Sequence, residues 1–359
     1  MYTRRLRTGT NSTGRAERRD EPIPETAIPP AMNPCGRTGV DVPTHRDPGG
    51  PPPISECVFD YSPEFRNLIV QMHKGKEGLP NYPGYIRDHL GGENSRLNAF
   101  SRYLYPEIRL HCGDLASCRV LDFGCGTGAS TAILAQHSRE VVGFDISPQS
   151  VSICRRRLAE HGLLDRARVI SARDFRSVLG DIGTFDLVLM EGVLEHVPIT
   201  AGSLRGDLLR TLFGILNPEG HLFISGTPNR LWPFDFHSTQ LWWIPWMRPG
   251  SKRAYLKAVR KGRIADNAGG SPRGPVFLEE EGAWGSTYFE IVRALPRGFF
   301  EVVNSRPGHN RHVSYSFRPL YRELFDFFAY VFVTSLTGLP PTALSPAIDN
   351  LAIQKRTRL

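Results

Sequence analysis

In Val120-Leu121-Asp122-Phe123-Gly124-Cys125-Gly126-Thr127-Gly128-Ala129-Ser130 an apolar, strand-like segment runs into a glycine turn and then a helix start. Three glycines at alternate positions remove the Cβ atoms that would hold a ligand away from the backbone. Downstream, Ala129, Ala132 and Ile133 fall on one helical stripe, suited to packing back on a sheet. Gly124, Gly126 and Ala129 also satisfy the dinucleotide fingerprint in its Gly/Ala form, so the glycines alone leave two ligand classes open.

Asp122 separates them. A carboxylate two residues before the first glycine would lie close to a bound pyrophosphate, where like charges repel. The same carboxylate suits a ligand carrying an ammonium and a sulfonium. The run therefore resembles the first motif of the class I S-adenosylmethionine (SAM)-dependent methyltransferases. That resemblance implies SAM as cofactor, with Asp122 and the loop Gly124, Cys125, Gly126, Thr127 and Gly128 reading its methionine end.

The following segments extend the pattern. Glu140-Val141-Val142-Gly143-Phe144-Asp145 reads as a second buried strand, and its terminal carboxylate can accept two hydrogen bonds from ribose hydroxyls, with Ile146 beside it. Ser147 and Pro148 already supply the cap and first position of the next helix, so Asp145 is not needed there. Ala167–Ala172 reads as the third strand. After it, the resemblance gives Asp174 the adenine amino group and Phe175 the ring; a charged loop residue without a ligand is the alternative for Asp174. Phe185–Met190 reads as the fourth strand, and Glu191 after it is placed to meet the methionine part. Glu195 and His196 are expected to open the next helix at the pocket mouth. The Leu194-Glu195-His196-Val197 run is similar to the ubiquinone-biosynthesis O-methyltransferase branch of the family.

The fold expected is α/β: a Rossmann-like, seven-stranded, mostly parallel sheet with helices on both faces and strand 7 antiparallel. His221–Ser225, Phe299–Val303 and Asp349–Lys355 supply strands five to seven. Residues 1–54, rich in Arg and Pro, read as a disordered tail without the apolar region of a secretory signal. Residues 55–117 read as an N-terminal helical cap, in which Leu97, Phe100, Tyr103 and Leu104 recur at helical spacing before Pro106 bends the chain. The SAM-binding core spans 118–228. Residues 229–297 form a Trp-rich, basic insertion, read as an acceptor cap or as a small satellite core. Residues 298–359 carry the last strands and an aromatic excursion, 320–336, too short to span a bilayer that needs about 20 apolar residues.

Six cysteines without a C-x-x-C pair favour reduced thiols and a cytoplasmic setting over a disulfide framework. The net charge of +8 is concentrated in the arginines of the tail and in 248–263, which holds seven cations and no acid. Such runs meet phosphates or anionic lipid, or are simply solvated. No nucleic-acid recognition motif accompanies them, so a nucleic-acid partner is not expected; peripheral membrane contact is compatible.

Methyl transfer needs alignment of nucleophile, methyl and sulfur, and a base only when the acceptor arrives protonated. His196 is the candidate base, Glu195 its orienter, and His237 a second group within reach of the acceptor. Glu195, His196 and His237 also make a partial oxygen and nitrogen ligand set, but Gly192 stands where metal-using relatives place a further glutamate, so no metal is expected. The reading is a methyltransferase acting on a small-molecule or lipid-like acceptor, more often at oxygen. An NAD-dependent oxidoreductase and an RNA-directed methyltransferase or nucleic-acid-binding protein are the alternatives.

Overall fold

The computed structural model describes residues 61–74, 82–90, 95–264, 267–268, 271–272, 274–305 and 335–357. The expected N-terminal tail and most of the 320–336 aromatic excursion lie outside the described residues. Helices α1 (Pro63–Met72), α2 (Tyr82–Leu90), α3 (Arg96–Ala99) and α4 (Tyr105–Cys112) precede the sheet. Between α3 and α4, Phe100–Leu104 forms a π-turn in which the Tyr105 N–H reaches back five residues to the Phe100 carbonyl. That widened turn lets the chain pass Pro106, which has no N–H to give, without breaking. Leu97, Phe100, Leu104 and Ile108 face the core, while Tyr103, expected on the same stripe, is exposed.

Strands β1 (Arg119–Phe123), β2 (Glu140–Asp145), β3 (Ala167–Ser171), β4 (Phe185–Glu191), β5 (Leu216–Ser225), β6 (Phe300–Val302) and β7 (Leu351–Lys355) form one sheet in the order 6-7-5-4-1-2-3. Strands β1 to β5 are parallel, and β7 runs antiparallel to both β5 and β6. The order reverses between β1 and β4, as the sequence pattern requires. Side chains alternate across the sheet: Leu187 and Leu189 of β4 join one core cluster, Val188 and Met190 the other. Both faces are thus covered, which explains why these strands read as continuous apolar runs.

Helices α5 (Ala129–His137), α6 (Pro148–Glu160), α7 (Leu179–Ile182) and α8 (Leu204–Gly214) make the crossovers. Ser147 caps α6 as expected, its hydroxyl accepting from Ser150 N–H at 3.2 Å. Glu195 and His196 do not open a helix; they sit in a single 3₁₀ turn, Leu194–His196, and α8 begins eight residues later. Within β5, Glu219 takes a left-handed φ of 64°, and the β4–β5 register shifts around it.

Residues after β5 build a small core of their own. Helices α9 (Lys252–Arg260) and α10 (Gly274–Glu280) enclose Trp284 with Ile244, Tyr255, Ala258 and Leu278, and α11 (Tyr288–Ala294) returns the chain to the main sheet. Trp284 donates its indole N–H to the Met247 carbonyl at 2.9 Å. Among the described residues no helix is long and apolar enough to cross a membrane.

Candidate active site

The carboxyl ends of β1 to β4 open on a cleft of about 500 Å³. It is lined by Gly124, Asp145, Ile146, Asp174 and Phe175 from the ends of β1, β2 and β3, and by Val193, His196, Val197 and Pro198 after β4 with Leu204, Leu208 and Thr211 of α8. This is the switch point of a doubly wound sheet, where loops diverge and leave a crevice. The volume lies in the range of small-molecule and cofactor sites.

Asp145 is held hard. Its Oδ2 accepts from Gly126 N–H at 2.9 Å and its Oδ1 from Ser147 N–H at 2.8 Å. Each carboxylate oxygen keeps a further lone pair, so two ribose hydroxyls can still be accepted. Ile146 beside it is 67% exposed, an apolar side chain left open on the cleft edge, as an adenine wall requires. Phe175 packs edge-on against Phe123 and Phe144, which stack on each other at 5.2 Å, so the floor is rigid and aromatic. Asp174 lines the cleft and also caps the 3₁₀ turn after β3, accepting from Arg176 N–H at 3.0 Å. Arg173 and Arg176 flank it in the lining and had no signal in the sequence beyond adjacency to Asp174.

The loop residues divide. Gly126 takes φ +52° and a Cβ there would meet nothing within 4 Å, the open cradle that a close-lying ligand needs. Cys125 is buried against Gly143, and Thr127 is buried with its hydroxyl 2.9 Å from His89 Nδ1 of α2. Asp122 does not line the cleft. It is 1% exposed, and its Oδ2 accepts from Ser130 Oγ at 2.7 Å and Thr131 Oγ1 at 2.6 Å. Burial pushes its carboxyl up to about 6, opposed by those two hydroxyls and aided by the nearby Asp145 charge. Asp122 therefore acts on the cleft through its field and by pinning the start of α5, rather than by offering a surface oxygen.

Glu191 closes the same group of acids. Glu191 is exposed as a residue at the end of β4, yet protein crowding its carboxyl, together with the Asp122 charge, pushes it up to about 7; Arg96 of α3 pulls the other way. A cation arriving beside these two acids favours their ionised forms, so it is held most strongly once both have lost their protons.

His196, Glu195 and His237 come together from separate places. His196 and His237 rings meet edge to face at 5.4 Å, and one donor atom from each of the three residues lies within 4.8 Å of the others. His237 is fixed by the turn that carries it: buried Asp235 accepts from His237 N–H at 3.0 Å, from Ser238 N–H and Oγ, and from Thr239 N–H and Oγ1. His196 Nδ1 is 2.7 Å from the Glu280 carbonyl, which can only accept, so Nδ1 carries a proton and in the neutral ring the lone pair is on Nε2. Nε2 lies 3.9 Å from Glu195 Oε1, a buried oxygen with no hydrogen-bond partner, while Oε2 accepts from Thr227 Oγ1 at 3.1 Å. The same lone pair can take a proton or, with Glu195 and His237, bind a divalent ion; the two uses exclude each other.

A Methyltransferase domain family model matches residues 121–222. The ubiquinone biosynthesis O-methyltransferase of Xanthomonas euvesicatoria pv. vesicatoria is 35% identical over 129 residues, 36% of this chain and 49% of that protein. This chain thus spans about half the length of that relative. A solved structure of an S-adenosylmethionine-dependent methyltransferase from Clostridium acetobutylicum aligns with a TM-score of 0.30 at 18% identity, over 34% of this chain and 48% of that one. The ubiquinone biosynthesis O-methyltransferase of Methylocella silvestris is 30% identical over 190 residues, half of this chain and 69% of that protein. On that kinship, and with the sheet order and the glycine turn described above, the chain belongs to the class I SAM-dependent methyltransferases.

Proposed function

We propose that this protein transfers the methyl group of SAM to an oxygen of a small or lipid-like acceptor, in the cytoplasm. One observation carries the reading: Asp145, with lone pairs left for ribose, and His196, whose Nδ1 is engaged by the Glu280 carbonyl, line the same cleft. Bound SAM supplies a methyl carbon already activated by its positive sulfur. The chain then has to orient, exclude water and remove a proton.

Asp145 takes the ribose hydroxyls, Ile146, Phe175 and Asp174 the adenine, and Gly126 gives the close approach. Asp122 and Glu191 hold a negative field for the methionine ammonium and sulfonium. Val197, Pro198, Leu204 and Leu208 offer an apolar bed for the acceptor next to His196. When the acceptor oxygen bonds to the methyl carbon, the carbon–sulfur bond would break to leave S-adenosylhomocysteine, the acceptor's proton would pass to His196 Nε2, and Glu195 Oε1 would steady the imidazolium. Thiols in the described part support the cytoplasmic setting: Cys112, Cys118, Cys125 and Cys154 are all free. The names of the curated relatives support oxygen as the target atom.

Calorimetry with SAM, S-adenosylhomocysteine and NADH, followed by incubation with methyl-labelled SAM and fractionated extract, tests the proposal. Binding of the first two ligands and label in a base-stable ether of an apolar fraction are expected. Binding of NADH alone, or label appearing only in nucleic acid, would defeat it.

A further inference from the structure

The insertion after β5 carries a surface that the cleft does not use. Trp242, Trp243 and Trp246 are 57%, 51% and 58% exposed, although tryptophan is a residue that folded chains mostly cover. They are neighbours: Phe234 and Trp242 rings lie 5.2 Å apart, Trp242 and Trp243 6.3 Å, Trp243 and Trp246 5.3 Å. The rings tilt on one another by 57°, 47° and 60°, so they make a continuous apolar knob rather than separate flat faces. The backbone that presents them is itself strained, with Gln240 at φ 53° and Trp243 at φ 73°, a region bulky residues avoid. Trp243 N–H donates to the Pro233 carbonyl and the Trp246 indole N–H to the Leu231 carbonyl at 3.2 Å, which fixes the presentation and still leaves all three rings exposed.

Cations surround the knob. Helix α9 buries Ala254, Tyr255 and Ala258 and turns Lys252, Arg253 and Arg260 outward. Lys257, on its edge, donates to the Trp242 carbonyl at 2.5 Å, and Arg263 donates to Gln240 Oε1 at 3.3 Å. Trp246 also lines a depression of about 590 Å³ with Leu231, Arg230 and Arg248. The stretch 248–263 contributes seven positive charges and no negative one.

We propose that this face docks on an anionic lipid bilayer, with the three indoles in the headgroup zone and α9 against lipid phosphates. Indole rings are apolar bodies with one polar edge, which suits the boundary between acyl chains and water. Cations beside them add attraction to anionic headgroups that salt weakens. A second copy of the chain is disfavoured, since a two-fold contact would set one cationic helix against the other. Single-stranded RNA would want ring faces spaced for stacking with bases, and these rings tilt on one another by 47° to 60° at short separations. The hairpin that carries Trp242 also carries His237, so a chain docked this way has its cleft rim next to the lipid source of an apolar acceptor. The docking itself does not depend on the methyl-transfer reading.

Sedimentation with vesicles of phosphatidylcholine alone, and of phosphatidylcholine mixed with phosphatidylglycerol, tests this. The protein is expected to partition at least about tenfold more strongly to the mixed vesicles, less so as salt rises. Lipids brominated on the acyl chain should quench its tryptophan fluorescence. The triple variant Trp242→Ala, Trp243→Ala, Trp246→Ala should lose at least about tenfold of the partitioning to mixed vesicles, and Lys252→Glu, Arg253→Glu, Arg260→Glu should lose it too. All these side chains are exposed, so both variants should melt and bind SAM as the parent does, which keeps lipid docking separable from cofactor binding. Folded, SAM-binding protein that ignores the mixed vesicles would overturn the proposal. So would partitioning that survives the tryptophan variant, or RNA binding that the tryptophan variant abolishes while vesicles are not bound.

Discussion

Asp145 accepts a hydrogen bond from the backbone N–H of Gly126 across 2.9 Å, tying the tip of β2 to the turn that leaves β1. The carboxylate that should read the ribose is thus the one that sets the shape of the glycine turn. Asp145→Ala is expected to weaken SAM binding by at least about tenfold, about 1.4 kcal/mol. Calorimetry showing unchanged affinity would remove Asp145 from the cofactor site.

The two glycines that flank Thr127 should fail in different ways. Gly128→Ala places a Cβ 2.4 Å from Cys154 Sγ at φ +85°, so overpacking and left-handed strain add and about 1–3 kcal/mol of stability is lost. Gly126→Ala meets open space, so the folded state loses only about 1 kcal/mol for its positive φ, yet the methyl intrudes on the cradle. Urea titration should separate the variants, and SAM affinity should fall in Gly126→Ala despite its near-normal midpoint. Normal affinity there would mean the cofactor lies elsewhere.

Arg157 of α6 is a buried clamp that nothing in the local pattern announced. Its Nε donates to the Thr127 carbonyl at 2.8 Å, Nη2 to the His89 carbonyl at 2.8 Å and Nη1 to the Tyr61 hydroxyl, with the guanidinium over the Tyr61 and Phe65 rings. Arg157→Met strands two carbonyls and should cost about 3 kcal/mol. Hydrogen exchange should speed up first in α1 and α2, the helices it pins to the glycine turn; protection that falls evenly across the chain would contradict the clamp.

The pH dependence follows from Asp122 and Glu191, whose carboxyls rise from 3.8 to about 6 and from 4.5 to about 7. Because the folded state binds these protons more tightly than the unfolded one, their contribution to stability is full below the unfolded values. It is lost as pH rises through about 6 and then about 7. Cation binding has the opposite slope, since SAM is held best when both acids are ionised. Affinity should therefore climb between about pH 6 and pH 7.5 while the melting temperature of the free protein declines. Glu191→Gln should flatten both curves, and parallel curves for parent and variant would show that Glu191 does not face the ligand.

His196→Gln should leave SAM affinity within about twofold while turnover drops at least about a hundredfold, the usual range for a lost general base. Adding a chelator should change neither turnover nor stability in the parent. Inactivation by chelator, reversed by a divalent ion, would instead assign the three-residue cluster to a metal.

The alternation of strand and helix, the reversal between β1 and β4, and the strand-end acids at 122, 145 and 191 were legible in the sequence. Each is written in a short window, through periodicity or through a glycine that only a tight turn needs. Tertiary structure decided what these residues face. Ser130 and Thr131, in the first turn of α5, cover Asp122 and take it off the cleft surface, whereas Asp145 stays on it. His237 reaches His196 across a hairpin held by Asp235, and Trp284 is sealed while Trp242, Trp243 and Trp246 are left outside. Side-chain type and spacing constrain the local backbone, but burial and partnership come from chain segments that meet only after folding, and those determine which acid, which histidine and which indole is available to a ligand.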